Sequence, residues 1–106
     1  MDTSHHNSSQ IYTITAYLWL YPGHASWHFI TIPQDISSEI STTYAEHKRG
    51  WGSLPVTVTV GNTTWETSIF PDKEAQGYLL PVKALVRKKE AIRADQEITF
   101  TLQIRV

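Results

Sequence analysis

A faultless alternating run in the middle of the chain constrains the fold more than any other feature. Val56–Val60 alternates valine with threonine, and Gly61-Asn62 separates it from a second β-rich run, Thr63–Phe70. Strict alternation is typical of strands, and a two-residue Gly-Asn link is typical of a tight hairpin. Counting outward from the link places Val58 opposite Trp65. The residues predicted to share one face of this hairpin are Val56, Val58, Val60, Trp65 and Thr67.

Four further runs carry the same strand signal. Tyr12–Leu20 and Glu97–Val106 alternate apolar and polar residues, while Trp27–Ile32 and Tyr78–Leu80 are shorter β-rich runs. Period-two alternation over segments of this length predicts strands with one face turned to a core. The sequence therefore predicts a mostly β fold.

The first helical pattern in the chain follows Pro33. Ile36, Ile40 and Tyr44 recur at four-residue spacing, which places them on one face of a helix. Proline suits the first turn of such a helix, and a glycine often follows the last. We therefore predict a helix that begins after Pro33 and runs toward Gly50.

A second, shorter helix is predicted after Pro81, where apolar residues again fit a helical face. Phe29–Pro33 and Tyr78–Pro81 both lead from a strand through a proline into a helix and then to another strand. This repetition predicts a small β-barrel with two short helices, built from two pseudo-symmetric strand-Pro-helix-strand units.

The length of 106 residues suits one domain with one core. Residues 1–10 are polar and without periodicity, which predicts a disordered tail ahead of a single domain over residues 11–106. The residues expected in the core, each on the apolar face of its element, are Ile14, Leu18, Ile36, Ile40, Val58, Leu85, Phe100 and Leu102.

Composition narrows the classes of function. Nine Lys and Arg residues against ten Asp and Glu give a net charge of −1, which favours neither nucleic acid nor anionic membranes as partners. The chain contains no cysteine, so disulfides and thiolate chemistry are excluded. Without a recognisable leader or an apolar stretch long enough to span a bilayer, we expect a cytoplasmic location.

Four segments, taken in order, carry a resemblance to a known family. They are Trp27–Pro33, Gly50–Val56, Trp65–Lys73 and Gly77–Lys83, with Arg87 following the last. Together they resemble the bacterial family of the domain of unknown function 1905 (DUF1905) over nearly the whole predicted domain. The resemblance implies a small β-barrel, and it supplies no established substrate or catalytic residue.

Basic and aromatic residues near the second helix form the candidate ligand site. Lys83 and Arg87 are four residues apart and share a helix face, and Lys73 lies on the loop that leads toward the same helix. Trp51, between two glycines, could supply a flat apolar wall. We predict that Trp51, Lys73, Lys83 and Arg87 converge on a small anionic or aromatic ligand. The alternative is that the three cations are separate solvated charges.

Metal and cofactor motifs are not expected. His24 and His28 have the four-residue spacing of zinc ligands on a helix, but in a strand that spacing separates the rings by about 13 Å. The sequence contains no nucleophile elbow or phosphate loop. Glu66, Asp72 and Lys73 could support acid–base chemistry, although solvated loop charges are the commoner explanation.

Three classes of function remain open from the sequence. A binding module for a small molecule or a protein, as a monomer or a small homo-oligomer, is favoured. The segment Tyr78–Phe100 loosely resembles DNA-binding regulators of the AbrB type, against which the near-neutral charge argues. An enzyme is the third alternative, with no motif behind it.

Overall fold

The computed structural model describes residues 10–23 and 26–106. Six strands and two α-helices follow in the order β1 (Ile11–Leu20), β2 (His28–Thr31), α1 (Gln34–Thr43), β3 (Leu54–Val60), β4 (Thr63–Asp72), β5 (Gly77–Pro81), α2 (Ala84–Glu90) and β6 (Glu97–Ile104). Short 3-10 turns at Ala45–His47 and Gly50–Gly52 join α1 to β3. The predicted tail lies outside the described residues except Gln10, whose backbone N–H donates to the Tyr44 hydroxyl at 3.1 Å.

The strands close into one antiparallel barrel in the order β1-β2-β5-β4-β3-β6. The predicted mostly β barrel with two short helices is therefore confirmed. Every strand therefore has a paired neighbour on each side over at least part of its length, and closure directs one face of every strand into a shared interior. That interior forms a single continuous apolar core.

The central hairpin has the register predicted from its turn. Val58 lies opposite Trp65 and Val60 lies opposite Thr63, with Gly61 at a positive φ of 56° in the link. The valines at alternate positions of β3 and the ring of Trp65 are buried. The two-residue turn thus sets which face of β3 and β4 enters the core.

Chain connectivity around the barrel has a twofold pattern. If β1 is exchanged with β4, β2 with β5 and β3 with β6, each pair of neighbouring strands becomes another pair of neighbours. The order of the strands around the barrel is therefore the same after the exchange. The pattern extends to hydrogen bonds at the β2–β5 pairing, where Ile32 N–H donates to the Tyr78 carbonyl at 2.9 Å and Val82 N–H donates to the His28 carbonyl at 3.0 Å. The chain therefore consists of two strand-Pro-helix-strand units, as its sequence repetition indicates.

The helices attach to the barrel at equivalent positions of the two units. In α1, the Ser37 hydroxyl donates to the Ile32 carbonyl at 3.1 Å. In α2, Arg87 Nε donates to the Val82 carbonyl at 3.2 Å. Ser37 and Arg87 each lie five residues after the residue whose carbonyl they contact. Equivalent backbone carbonyls therefore accept a hydrogen bond from a short side chain in one unit and from a long side chain in the other.

The predicted core is confirmed at six of its eight positions: Ile14, Leu18, Ile40, Val58, Phe100 and Leu102 are buried. Ile36 is half-buried and packs against the core. The prediction that Leu85 is a core residue is wrong, because its side chain is 56% exposed. Its neighbours Val82 and Val86 are buried instead. A seven-residue helix turns only a narrow strip toward the barrel, and the residue before Val86 is rotated about 100° away.

The first helix ends earlier than the position of Gly50 predicts. It stops at Thr43, and Tyr44 acts as C-cap with its N–H donating to the Ile40 carbonyl at 2.9 Å. The tighter turn at Ala45–His47 continues the chain, and Gly50 begins a separate turn. Tightening into 3-10 geometry satisfies the last carbonyls of a helix that has no glycine at its end.

A buried tyrosine joins β1 to α1. The Tyr12 hydroxyl donates to Glu39 Oε2 at 3.3 Å, and only 6% of the Tyr12 side chain is exposed. Burial, with a smaller contribution from the negative charge of Glu39, raises the pKa of Tyr12 from 10.0 to about 12. The neutral phenol is thus the form that the folded protein favours.

Truncating Phe100 to Ala should lower the free energy of unfolding by about 3–5 kcal/mol, because the ring is 2% exposed and its loss leaves a cavity. Leu85→Ala is the matched control, and its exposed position should keep the change within about 0.5 kcal/mol. Urea denaturation of both variants measures the difference; similar losses would contradict the placement of these two residues.

Tyrosine ionisation provides a pH test of the Tyr12 environment. Since the folded pKa is raised, the stabilisation from Tyr12 is complete below pH 10 and is lost as the pH rises toward about 12. The ultraviolet titration of wild type minus that of Tyr12→Phe should show one phenol with a midpoint near 12. A midpoint near 10 would show that Tyr12 is solvated.

Candidate functional site

A cavity of about 470 Å³ opens where α2 meets the beginning of β2 and the end of β5. We call it the aromatic cavity, since the rings of Trp27, Phe29 and Trp65 line it and Lys83 and Arg87 lie among its other lining residues. Trp65 belongs to the buried core, whereas Trp27 is about half exposed. One wall of the cavity is thus a core side chain, and another is a half-exposed ring.

Arg87 is held in place at the edge of this cavity. Its Nε contacts the Val82 carbonyl, its Nη2 donates to the Ser26 carbonyl at 3.3 Å, and its Nη1 lies 3.4 Å from His28 Nε2. A guanidinium can only donate, so this contact requires His28 to accept through Nε2. Three contacts use three of five guanidinium N–H groups, which leaves donors for a ligand.

The charges around the aromatic cavity favour an anion. Lys83 is exposed at the N-cap position of α2 and adds a second cation beside Arg87. The lining carboxylate, Glu66, lies 3.6 Å from Arg105, which offsets its charge. The ammonium and the guanidinium therefore dominate the local potential.

Aromatic rings continue from the cavity toward the β1–β2 connection. Trp27 and Phe29 meet edge to face with centroids 6.5 Å apart, and Trp19 contacts Phe29 at 5.4 Å. Tyr21 lies between Trp19 and Trp27. We call the rings of Trp19, Tyr21, Trp27 and Phe29 the aromatic hairpin. The sequence patterns described above did not single them out as a group. Two rings precede Pro22-Gly23 and two follow it, each pair at alternate positions. This spacing is the sequence signal that predicts such a cluster across a strand pair.

The four predicted site residues line two cavities. Lys83 and Arg87 line the aromatic cavity, whereas Trp51 and Lys73 line a second opening of about 520 Å³, which we call the polar cleft. The cleft borders the beginning of β5 and the aromatic cavity borders its end. A five-residue strand holds its ends about 13 Å apart, so Lys73 and Lys83 do not share a site. Binding of a ligand by either pair stays a prediction.

Two other sequence expectations concern metals and membranes. His24 lies outside the described residues, so its pairing with His28 has no structural test. Within residues 10–23 and 26–106, no three potential metal ligands from His, Asp and Glu side chains come together. None of the helices in that part of the chain has the length and apolar character needed to cross a membrane.

Comparison with known protein families gives a match over most of the chain. The family model described as "Domain of unknown function (DUF1905)" matches residues 15–102. That range begins in β1 and ends in β6, so it contains both helices and both cavities. No curated protein matches the sequence.

Replacing Arg87 with Met should lower the free energy of unfolding by about 1–3 kcal/mol, because three contacts that fasten α2 to β2 and β5 are lost. Lys88→Met, at the exposed neighbouring position, should change it by less than about 0.5 kcal/mol. Denaturant unfolding of the pair gives the comparison. Equal stability of the two variants would mean that Arg87 is a solvated charge.

Proposed function

This chain belongs to the DUF1905 family, and on that premise we propose that it is a binding module whose aromatic cavity takes a small planar molecule carrying a carboxylate. The observation that carries the proposal is the position of Lys83 and Arg87 beside the rings of Trp27, Phe29 and Trp65. Ligand sites typically combine apolar and aromatic walls with a few placed polar groups.

The size and the walls of the cavity support a ring-shaped ligand. A volume of about 470 Å³ lies within the range of small-molecule sites, about 300–1,000 Å³. Trp27 and Phe29 both line the cavity, so a planar ligand bound there would contact aromatic side chains. Pro81 and Val82 add apolar lining from β5 and the connection to α2.

The fixed position of Arg87 supports a carboxylate as the polar part of the ligand. Contacts with Ser26, His28 and Val82 immobilise the guanidinium before any ligand arrives. A preorganised guanidinium binds a carboxylate with little further loss of side-chain freedom. The exposed Lys83 adds long-range attraction and a further hydrogen-bond donor.

Indole-3-acetate and indole-3-acetamide test this proposal, because they share a ring and differ in charge. We expect the acid to bind about tenfold more tightly than the amide, since charge-assisted hydrogen bonds exceed neutral ones. Trp27→Ala should weaken both probes, whereas Lys83→Ala should reduce only the preference for the acid. Isothermal titration calorimetry measures all the affinities.

Lys89→Ala is the matched control, because it removes a cation from the same helix outside the cavity lining. It should retain the preference of wild type for the acid. Equal wild-type affinities for the acid and the amide would overturn the anionic part of the proposal. If Trp27→Ala bound both probes as tightly as wild type does, the probes would not bind in the aromatic cavity.

A protein partner is the second candidate, and the aromatic hairpin favours it. Tyr21 is 40% exposed and Trp27 is 52% exposed, beside Leu20 at 44%. Aromatic residues concentrated at one surface are typical of protein interfaces. For DNA binding and for catalysis, the described part of the chain supplies no comparable geometry, and both stay the alternatives that the sequence left open.

A further inference from the structure

Two residues with an unfavourable backbone conformation line the polar cleft. Trp51 has a φ of 62° and Gln76 a φ of 54°, and both residues line the cleft. Positive φ is uncommon for residues other than glycine because of the Cβ atom. Such strain persists where the surrounding structure fixes it, and it clusters at functional sites. Two of the four non-glycine residues with positive φ in the described chain therefore mark one opening.

Hydrogen bonds fix the backbone of the turn at Trp51, although the indole ring does not pack in the core. Arg49 N–H donates to the Ser53 carbonyl and Gly52 N–H to the Arg49 carbonyl, both at 2.8 Å. Gly52 lies against Pro71 of β4, where an added Cβ would come within 3.2 Å of the ring. The Trp51 side chain is nevertheless 93% exposed. The turn thus holds a flat indole in solvent at a cost in backbone strain.

Polar side chains line the same opening as this indole. Lys48 Nζ donates to Ser41 Oγ at 2.8 Å, which places one ammonium beside α1. Lys73 contributes a second ammonium from the β4–β5 turn. Asp72 lines the same cleft and accepts from the backbone N–H of Ala75 at 2.9 Å. Two cations and one carboxylate favour an anion with additional hydrogen-bonding groups.

We propose that the polar cleft binds a nucleotide, with the base stacked on Trp51 and the phosphate close to Lys48 and Lys73. Exposed aromatic side chains are stacking platforms for bases, whatever their sequence. Lysine binds phosphate as a point charge, and Asp72 is placed to accept from a ribose hydroxyl or a base amino group. A neutral sugar could also stack on indole, but it would make no use of two ammonium groups.

Trp51→Gly separates a structural role of the ring from a binding role. Glycine adopts the observed φ without a Cβ penalty, so the variant should unfold at the same temperature as wild type or a higher one. Adenosine 5′-monophosphate, titrated by calorimetry, should lose about tenfold or more in affinity when the stacking ring is removed. Lys73→Ala should weaken adenosine 5′-monophosphate and leave adenosine unchanged.

Several outcomes would overturn the proposal. One is a clear fall in melting temperature for Trp51→Gly, which would make the exposed ring a structural element. Another is equal affinity of wild type and Trp51→Gly for adenosine 5′-monophosphate, or no saturable binding at millimolar concentration. Tighter binding of D-glucose than of the nucleotide would assign the cleft to sugars.

Two further measurements keep this site distinct from the aromatic cavity. Indole-3-acetate should not displace adenosine 5′-monophosphate, because the two openings lie at opposite ends of β5. Lys89→Ala, outside the lining of both openings, should bind the nucleotide as wild type does. Competition between the two probes would instead indicate one shared site and would contradict the assignment to the polar cleft.

Discussion

The pairing of β2 with β5 is the interaction on which the rest of the barrel depends. These are the two shortest strands, and their pairing joins the β1–β2 hairpin directly to the β4–β5 hairpin. Their ladder ends in two reciprocal hydrogen bonds, from Ile32 to Tyr78 and from Val82 to His28. Each bond fixes the chain at the point where it leaves the barrel for a helix. Barrel closure and helix placement are therefore coupled through one short ladder.

The same ladder explains why the molecule has two openings. Each opening lies between the helix of one unit and the hairpin turn of the other, so the two are counterparts under the twofold pattern. Their chemistry differs at equivalent positions. Ser37 packs so closely on Gly77 that a Cβ there would come within 2.6 Å of its hydroxyl oxygen. At the other opening, Arg87 and Trp27 occupy these positions and border the aromatic cavity.

Backbone strain and core stabilisation lie in different parts of the barrel. The interior is continuous and apolar, and no described side-chain N or O atom is buried without a hydrogen-bond partner. The unfavourable backbone at Trp51 and Gln76 lies instead at the barrel surface. A well-packed barrel can tolerate such local costs, because its core supplies most of the stabilisation. This arrangement leaves the loops of one scaffold free to carry different chemistry.

The strands, their inward faces and the register of the β3–β4 hairpin could be predicted from the amino-acid sequence, because alternation and a two-residue turn are local signals. The sequence also predicted the two repeated units. Local signals could not decide where Leu85 points, since that depends on which strip of α2 meets the barrel. Nor could they separate Lys73 from Lys83, ten positions apart in the chain. Only the tertiary structure assigned them to different cavities, because the extended β5 between them is fixed by its pairing with β2 and β4.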